Sequence, residues 1–121
     1  MSKNKPQQRL TAARQRIATL RDSLGEFDYL CSGNLQRRML PCGNPTCRCK
    51  RGPALRHGPY YYWGRRKGGR LVQMLLTPAE AEIVAQAIRN YKAILRILRQ
   101  CEDETVKIIK KFYNFCFFFW L

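Results

Sequence analysis

The sequence predicts an α+β fold: an N-terminal helix, a small Cys/His-rich knuckle joined to a β-hairpin with room for a third strand, and a long C-terminal helix. Three observations predict it. Apolar residues recur at steps of three and four near both ends of the 121-residue chain. Two runs of strand composition, Tyr60 to Arg65 and Arg70 to Leu76, flank Lys67-Gly68-Gly69, a strong hairpin turn signal. Between the first helix and the hairpin, three cysteines and the only histidine fall within sixteen residues.

Residues 1–6 form a basic arm expected to be disordered. The seam Leu10, Ala13, Ile17, Leu20, Leu24 then predicts a helix over 7–25, with Arg9, Arg14, Arg16 and Arg21 off the seam and Gly25 suited to its end. Such a seam is core packing in the first instance. Cys31-Ser32-Gly33-Asn34 reads as a turn and Leu35 to Leu40 as a strand. In Arg70–Leu76, Leu71, Gln73 and Leu75 fall on one face and Val72, Met74 and Leu76 on the other. The strand is therefore apolar on both sides, one side meeting a helix and the other a partner, a subunit or the tail. Thr77-Pro78-Ala79-Glu80 is a helix start: Thr77 as N-cap, Pro78 in the first turn, Glu80 closing a capping box. A helix over 78–111 follows, with the seam Ala81, Val84, Ile88, Tyr91, Leu95, Leu98 continuing through Val106, Ile109 and Phe112. The chain reads as one domain over 7–114. The two seamed helices form either an antiparallel pair or the shared seam of a homodimer. Residues 112–121 (FYNFCFFFWL) are an aromatic tail without helical or strand periodicity. It reads as a segment that packs on exposed apolar surface, or as an altered chain end.

Cys42, Cys47, Cys49 and His57 offer three sulfurs and one imidazole nitrogen, the donor set that Zn²⁺ takes tetrahedrally. Gly43, Pro45 and Gly52 allow the bends that bring such close ligands together, and Arg48, Lys50 and Arg51 favour the thiolate form that binds metal. Four protein ligands leave no open coordination position, which makes the site structural. Reduced thiols or a disulfide are the alternatives. The polar start MSKNKPQQRL, without an apolar leader core, points to a cytoplasmic protein in which reduced or metal-bound cysteines are favoured. No stretch is apolar over the length of a membrane span.

The run CG-x-P-x-C-x-C from Cys42 to Cys49, followed by HGPYYY from His57 to Tyr62, resembles the signature of a short prokaryotic family of unknown function. Members of that family are often encoded near mobile elements and transposases. The resemblance covers about residues 30–98 and includes Ser32-Gly33, the hairpin to Leu76 and Asn90-Tyr91. Cys42, Cys47, Cys49 and His57 match its pattern; the aromatic tail departs from it. It implies an accessory role close to a transposase or recombinase, and no assigned activity.

Charge narrows the function. The formal net charge is +15, from 23 Lys and Arg against 8 Asp and Glu. From Tyr29 to Ala79 there is no carboxylate, while ten residues are Arg or Lys. A solvated face normally mixes both signs, so this block points to a polyanionic partner, nucleic acid, with DNA ahead of RNA. The candidate contacts are Arg37, Arg38, Arg48, Lys50, Arg51 and Arg56 around the knuckle, and Arg65, Arg66, Lys67 and Arg70 on the hairpin. Tyr61 and Trp63 are added as aromatic platforms from the run Tyr60 to Trp63, of which at least one tyrosine belongs to the core. Metal-dependent nuclease chemistry uses carboxylates that this block lacks, so a binding module is expected in place of an enzyme. The alternative is a helical protein-interaction module that assists a larger recombinase.

Overall fold

The computed structural model describes residues 5–117, ordered as helix α1 (Lys5–Asp22), strands β1 (Asn34–Leu40), β2 (His57–Lys67) and β3 (Arg70–Leu76), and helix α2 (Pro78–Phe117). The architecture is α+β, as the sequence predicts. The expected arm at 1–6 lies outside the described residues except for Lys5 and Pro6, which open α1. The chain divides into two compact units, residues 29–91 and residues 1–28 with 92–121.

In the unit spanning Tyr29–Tyr91, the three strands form an antiparallel sheet in the order β1-β2-β3. The hairpin closes through Gly68 and Gly69 at φ +58° and +79°, with Lys67 paired to Arg70. Two successive positive φ values are the geometry of a type I′ turn, which glycine adopts without steric cost. One sheet face carries Leu35, Tyr61, Trp63 and Leu76, which pack with Ala81, Val84 and Ile88 of α2. The start of α2 is pinned as expected: the Thr77 backbone N–H donates to Glu80 Oε2 at 2.8 Å, and the Glu80 N–H to Thr77 Oγ1 at 3.3 Å. The turn before β1 is strapped down by three bonds. Cys31 N donates to Ala87 O at 3.2 Å, Asn90 Nδ2 to Tyr29 O at 3.0 Å and Trp63 Nε1 to Ser32 O at 2.8 Å. Gly33 is required there, because at φ +98° a Cβ would collide with the Gly64 carbonyl.

The other unit pairs α1 with the C-terminal part of α2 in antiparallel fashion. Pro6, Leu10 and Ala13 line a cleft with Lys107 and Ile108, while Thr19 and Leu20 share one with Gln100 and Glu104. The helix expected over 7–25 ends at Asp22 and passes into a 3-10 turn, Ser23–Glu26, where the Ser23 hydroxyl donates to Leu20 O at 2.6 Å. Tightening of the last turn to 3-10 geometry is a common way for an α-helix to end.

The seam expected along the C-terminal part of α2 is displaced. Leu98, Val106 and Ile109 are exposed, and the sheltered stripe is Ile97, Cys101, Glu104, Ile108. The sheltered stripe is itself apolar through Ile97, Cys101 and Ile108, and Glu104 within it accepts from Arg16 Nη2 of α1 at 3.0 Å and from Lys107 Nζ at 3.2 Å. Each of the two neighbouring stripes is apolar but for one glutamate, Glu102 or Glu104, so periodicity alone does not choose between them. The helix also runs past its expected end at 111 to Phe117. Nothing between Ala79 and Phe117 is glycine or proline, the residues that break a helix. The last four residues of the aromatic tail lie outside the described residues.

Candidate metal centre and basic surface

The knuckle connects β1 to β2, and each turn within it has a local cause. Asn44 and Pro45 set the first: Asn44 Oδ1 accepts from the Thr46 N–H at 3.0 Å and from Thr46 Oγ1 at 2.8 Å, while Cys47 N donates to Asn44 O at 3.2 Å. That is an Asx turn nested in a β-turn with proline at its second position, where the fixed φ of proline fits. A 3-10 turn, Arg48–Arg51, follows, with Lys50 N donating to Cys47 O at 3.1 Å. Lys50 also folds its side chain back, Nζ donating to Cys42 O at 2.6 Å. A second short turn, Pro53–Leu55, leads into β2.

The sheet then completes the cluster. β2 begins at His57, three residues earlier than its composition suggests, and His57 pairs with Leu40 at the end of β1. The ladder therefore sets the imidazole two residues from Cys42. Gly58 makes the approach possible, since at φ +131° a Cβ would come within 2.8 Å of the Arg38 carbonyl.

The donor atoms of Cys42, Cys47, Cys49 and His57 all lie within 4.8 Å of one another, close enough to hold a metal ion. Cys42 Sγ and Cys49 Sγ are 3.6 Å apart, and Cys47 Sγ is 3.3 Å from His57 Nε2. Tetrahedral zinc, with Zn–S near 2.3 Å and Zn–N near 2.0–2.1 Å, requires edges of about 3.8 Å between sulfurs and about 3.5 Å from sulfur to nitrogen. These two edges are within a few tenths of an ångström of those values, and the remaining ones stay within 4.8 Å. Cys49 is the buried member, and the Cys42 N–H points at its sulfur from 3.3 Å. Such N–H···S bonds orient a ligating sulfur and stabilise its negative charge.

Electrostatics separate the thiols. A hydrogen bond from the Cys49 backbone, and then the His57 ring, hold the Cys47 thiol down at about 6 from an ordinary 9.0. The Cys42 N–H works in the same direction on Cys49, but burial and the neighbouring sulfurs outweigh it and keep that thiol above its ordinary value. A thiol already biased toward thiolate near neutral pH is a ready metal ligand. Cys31 and Cys101 stand outside the cluster.

The candidate contact residues separate into groups. Arg48, Lys50, Arg51 and Arg56 are exposed on the knuckle, and Arg66, Lys67 and Arg70 are exposed at the hairpin end. Arg37 is exposed on β1, on the face that α2 covers elsewhere; Arg38 is half-buried on the opposite face, its guanidinium 5.0 Å from the Tyr62 ring centre. Arg65 lies 4.6 Å over the Trp63 ring. Tyr61 and Trp63 pack against the apolar cluster under α2. Tyr60 and Tyr62, the alternate pair, stand on the uncovered face instead. The signal for them was present in the run of aromatics, whose period of two yields two complementary pairs.

Residues 7–86 match a family model described as Domain of unknown function (DUF6788). The match takes in α1 as well as the knuckle and sheet, and stops within α2. No curated protein and no solved structure matches the chain. Among the described residues, no helix is long and apolar enough to cross a membrane. With well over half of its length matched, the chain belongs to this DUF6788 family.

Proposed function

We propose that the protein is a zinc-stabilised nucleic-acid-binding module, not an enzyme, with Zn²⁺ held by Cys42, Cys47, Cys49 and His57. The observation that carries this reading is the placement of charge. The unit from Tyr29 to Tyr91 holds eleven Arg or Lys against only Glu80 and Glu82, a formal +9 of the chain's +15. Both carboxylates sit in the first turns of α2, and Glu80 is occupied by its capping bond. The cations of the knuckle and the hairpin end thus face solvent without acidic neighbours from their own strands or loops. Phosphates neutralised by such cations release condensed counterions, which supplies affinity without sequence preference. The metal would fix the knuckle so that its arginines keep one arrangement.

A second reading has its own observation. β3 is an edge strand with Val72, Met74 and Leu75 exposed. An exposed apolar edge is where a protein partner adds a strand or packs. In that reading the chain assists a recombinase, in keeping with the mobile-element setting of the proteins its knuckle resembles.

A salt series on the isolated protein separates the two. Binding to duplex and single-stranded DNA is measured for wild type and for Arg48→Ala/Arg51→Ala/Arg56→Ala, three exposed positions that ligate nothing. The module reading expects weaker binding with zinc content unchanged. On duplex, the slope of log K against log salt should become shallower by roughly 0.9 for each phosphate that is no longer neutralised. Wild-type protein that binds neither ligand at low salt would leave the partner-protein reading standing.

A further inference from the structure

Resting on the nucleic-acid reading, we infer that the uncovered face of the sheet is a stacking platform for unpaired bases, so that the ligand is a single strand. The face carries Gln36 and Arg38 from β1, Tyr60, Tyr62, Gly64 and Arg66 from β2, and Leu71, Gln73 and Leu75 from β3, as the two strand registers require. Among the described residues no helix or further strand covers it: Leu71 is 67% exposed, Leu75 58% and Tyr60 38%, while the Arg38 guanidinium lies 5.0 Å from the Tyr62 ring centre and would exchange places with a base stacked there.

Three features select the occupant. The rings of Tyr60 and Tyr62 are two positions apart on an extended strand, about 6.6–6.8 Å. That is twice the roughly 3.4 Å per nucleotide of a stacked duplex strand, so the pair suits bases splayed from a single strand. Next to Tyr62, Gly64 leaves the central strand without a side chain, and a Cβ there would make ordinary contact with the Gln73 and Leu71 side chains at 3.8–4.0 Å. The result is a notch beside the Tyr62 ring, flanked by Arg66 along β2 and by Gln73 across β3. Lastly, the polar groups at its edge are amides and guanidinium groups. Gln73 carries both a donor and an acceptor suited to base edges, Gln36 keeps its amide donors while its oxygen accepts from Arg38, and Arg66, with the Arg38 guanidinium beside Tyr62, offers charge to the connecting phosphates. An apolar protein partner has no use for that charge, whereas a single strand matches both the rings and the cations.

The test uses full-length zinc-loaded protein and fluorescence anisotropy with labelled homothymidine DNA of about 16 nucleotides, the upper site size of small single-strand-binding folds. Homouridine RNA and a duplex of equal length are run alongside. The platform predicts tighter binding to a single strand than to the duplex, and the two homopolymers report which sugar is preferred. Tyr60→Ala and Tyr62→Ala should each weaken single-strand binding about 5- to 150-fold, while Tyr→Phe at both positions restores it. Gly64→Val fills the notch in a strand that favours β-branched residues; it should keep the fold and lose the single strand. Duplex preference in the wild type, or single-strand binding untouched by Tyr62→Ala and Gly64→Val while the knuckle arginine variant weakens it, overturns the platform and leaves the nucleic-acid reading intact. Absence of binding to all three ligands removes both.

Discussion

Replacing Cys47 with serine tests the metal centre most directly. The apolar support of the Tyr29–Tyr91 unit is thin: its buried cluster is Leu76, Ala81, Val84 and Ile88. Burial of the three larger side chains contributes about 1.5–3 kcal/mol each, or roughly 5–9 kcal/mol before chain entropy opposes it. Structural zinc in small Cys/His folds contributes about 10–16 kcal/mol apparent at neutral pH. Among the described residues of the knuckle only Cys49 is buried, so the knuckle and the adjoining ends of β1 and β2 have little apolar support of their own and should not survive loss of the metal. Wild-type protein should carry about one Zn²⁺ per chain by elemental analysis, since four donors saturate a tetrahedral ion. Cys47→Ser should lose that metal, lower the melting temperature and speed amide exchange from Met39 to Tyr61. A strong chelator should do the same to wild type. Cys101→Ser is the control and should retain zinc, because Cys101 lies outside the cluster. Full zinc occupancy in Cys47→Ser, or chelated wild type with unchanged melting and exchange, would refute the reasoning.

Two further predictions follow from the packing. Ile88→Ala empties a buried position between helix and sheet and should cost roughly 2–5 kcal/mol by chemical denaturation; a change below about 0.5 kcal/mol would mean that α2 does not rest on the sheet there. Arg16, and then Lys107, hold the Glu104 carboxyl below its ordinary 4.5. Their contribution to stability is therefore present above that value and is lost as pH falls through the lowered folded value. The difference in melting temperature between wild type and Glu104→Gln should be largest near neutral pH and shrink as pH falls below the ordinary 4.5. Any acid release of metal would be common to both variants and would cancel in that difference. A gap that stays constant through the acid range would remove the ion pair as its source.

The features legible in the sequence are those set by neighbours along the chain. Thr77 and Glu80 are three residues apart and meet as a capping box wherever a helix begins between them. Gly68-Gly69 closes the hairpin because the turn's positive φ values select glycine regardless of what the strands pack against. The four donor residues were visible as a set because chemistry, not topology, marks three thiols and an imidazole.

What only the tertiary structure decided was which of two locally equivalent arrangements is used. The run Tyr60 to Trp63 alternates between two faces by its period of two, yet nothing in the run says which face α2 covers. The contact of Leu35 and Leu76 with Val84 and Ile88 settles it, sending Tyr61 and Trp63 to the core and Tyr60 and Tyr62 to the open side. The second half of α2 presented two neighbouring stripes, each apolar but for one glutamate, and the contact with α1, where Arg16 meets Glu104 from 88 positions away, selects between them. His57 reaches the cysteines through the β1–β2 ladder, which places it beside Leu40. Each of these is a non-local contact, and local periodicity is degenerate with respect to its partner.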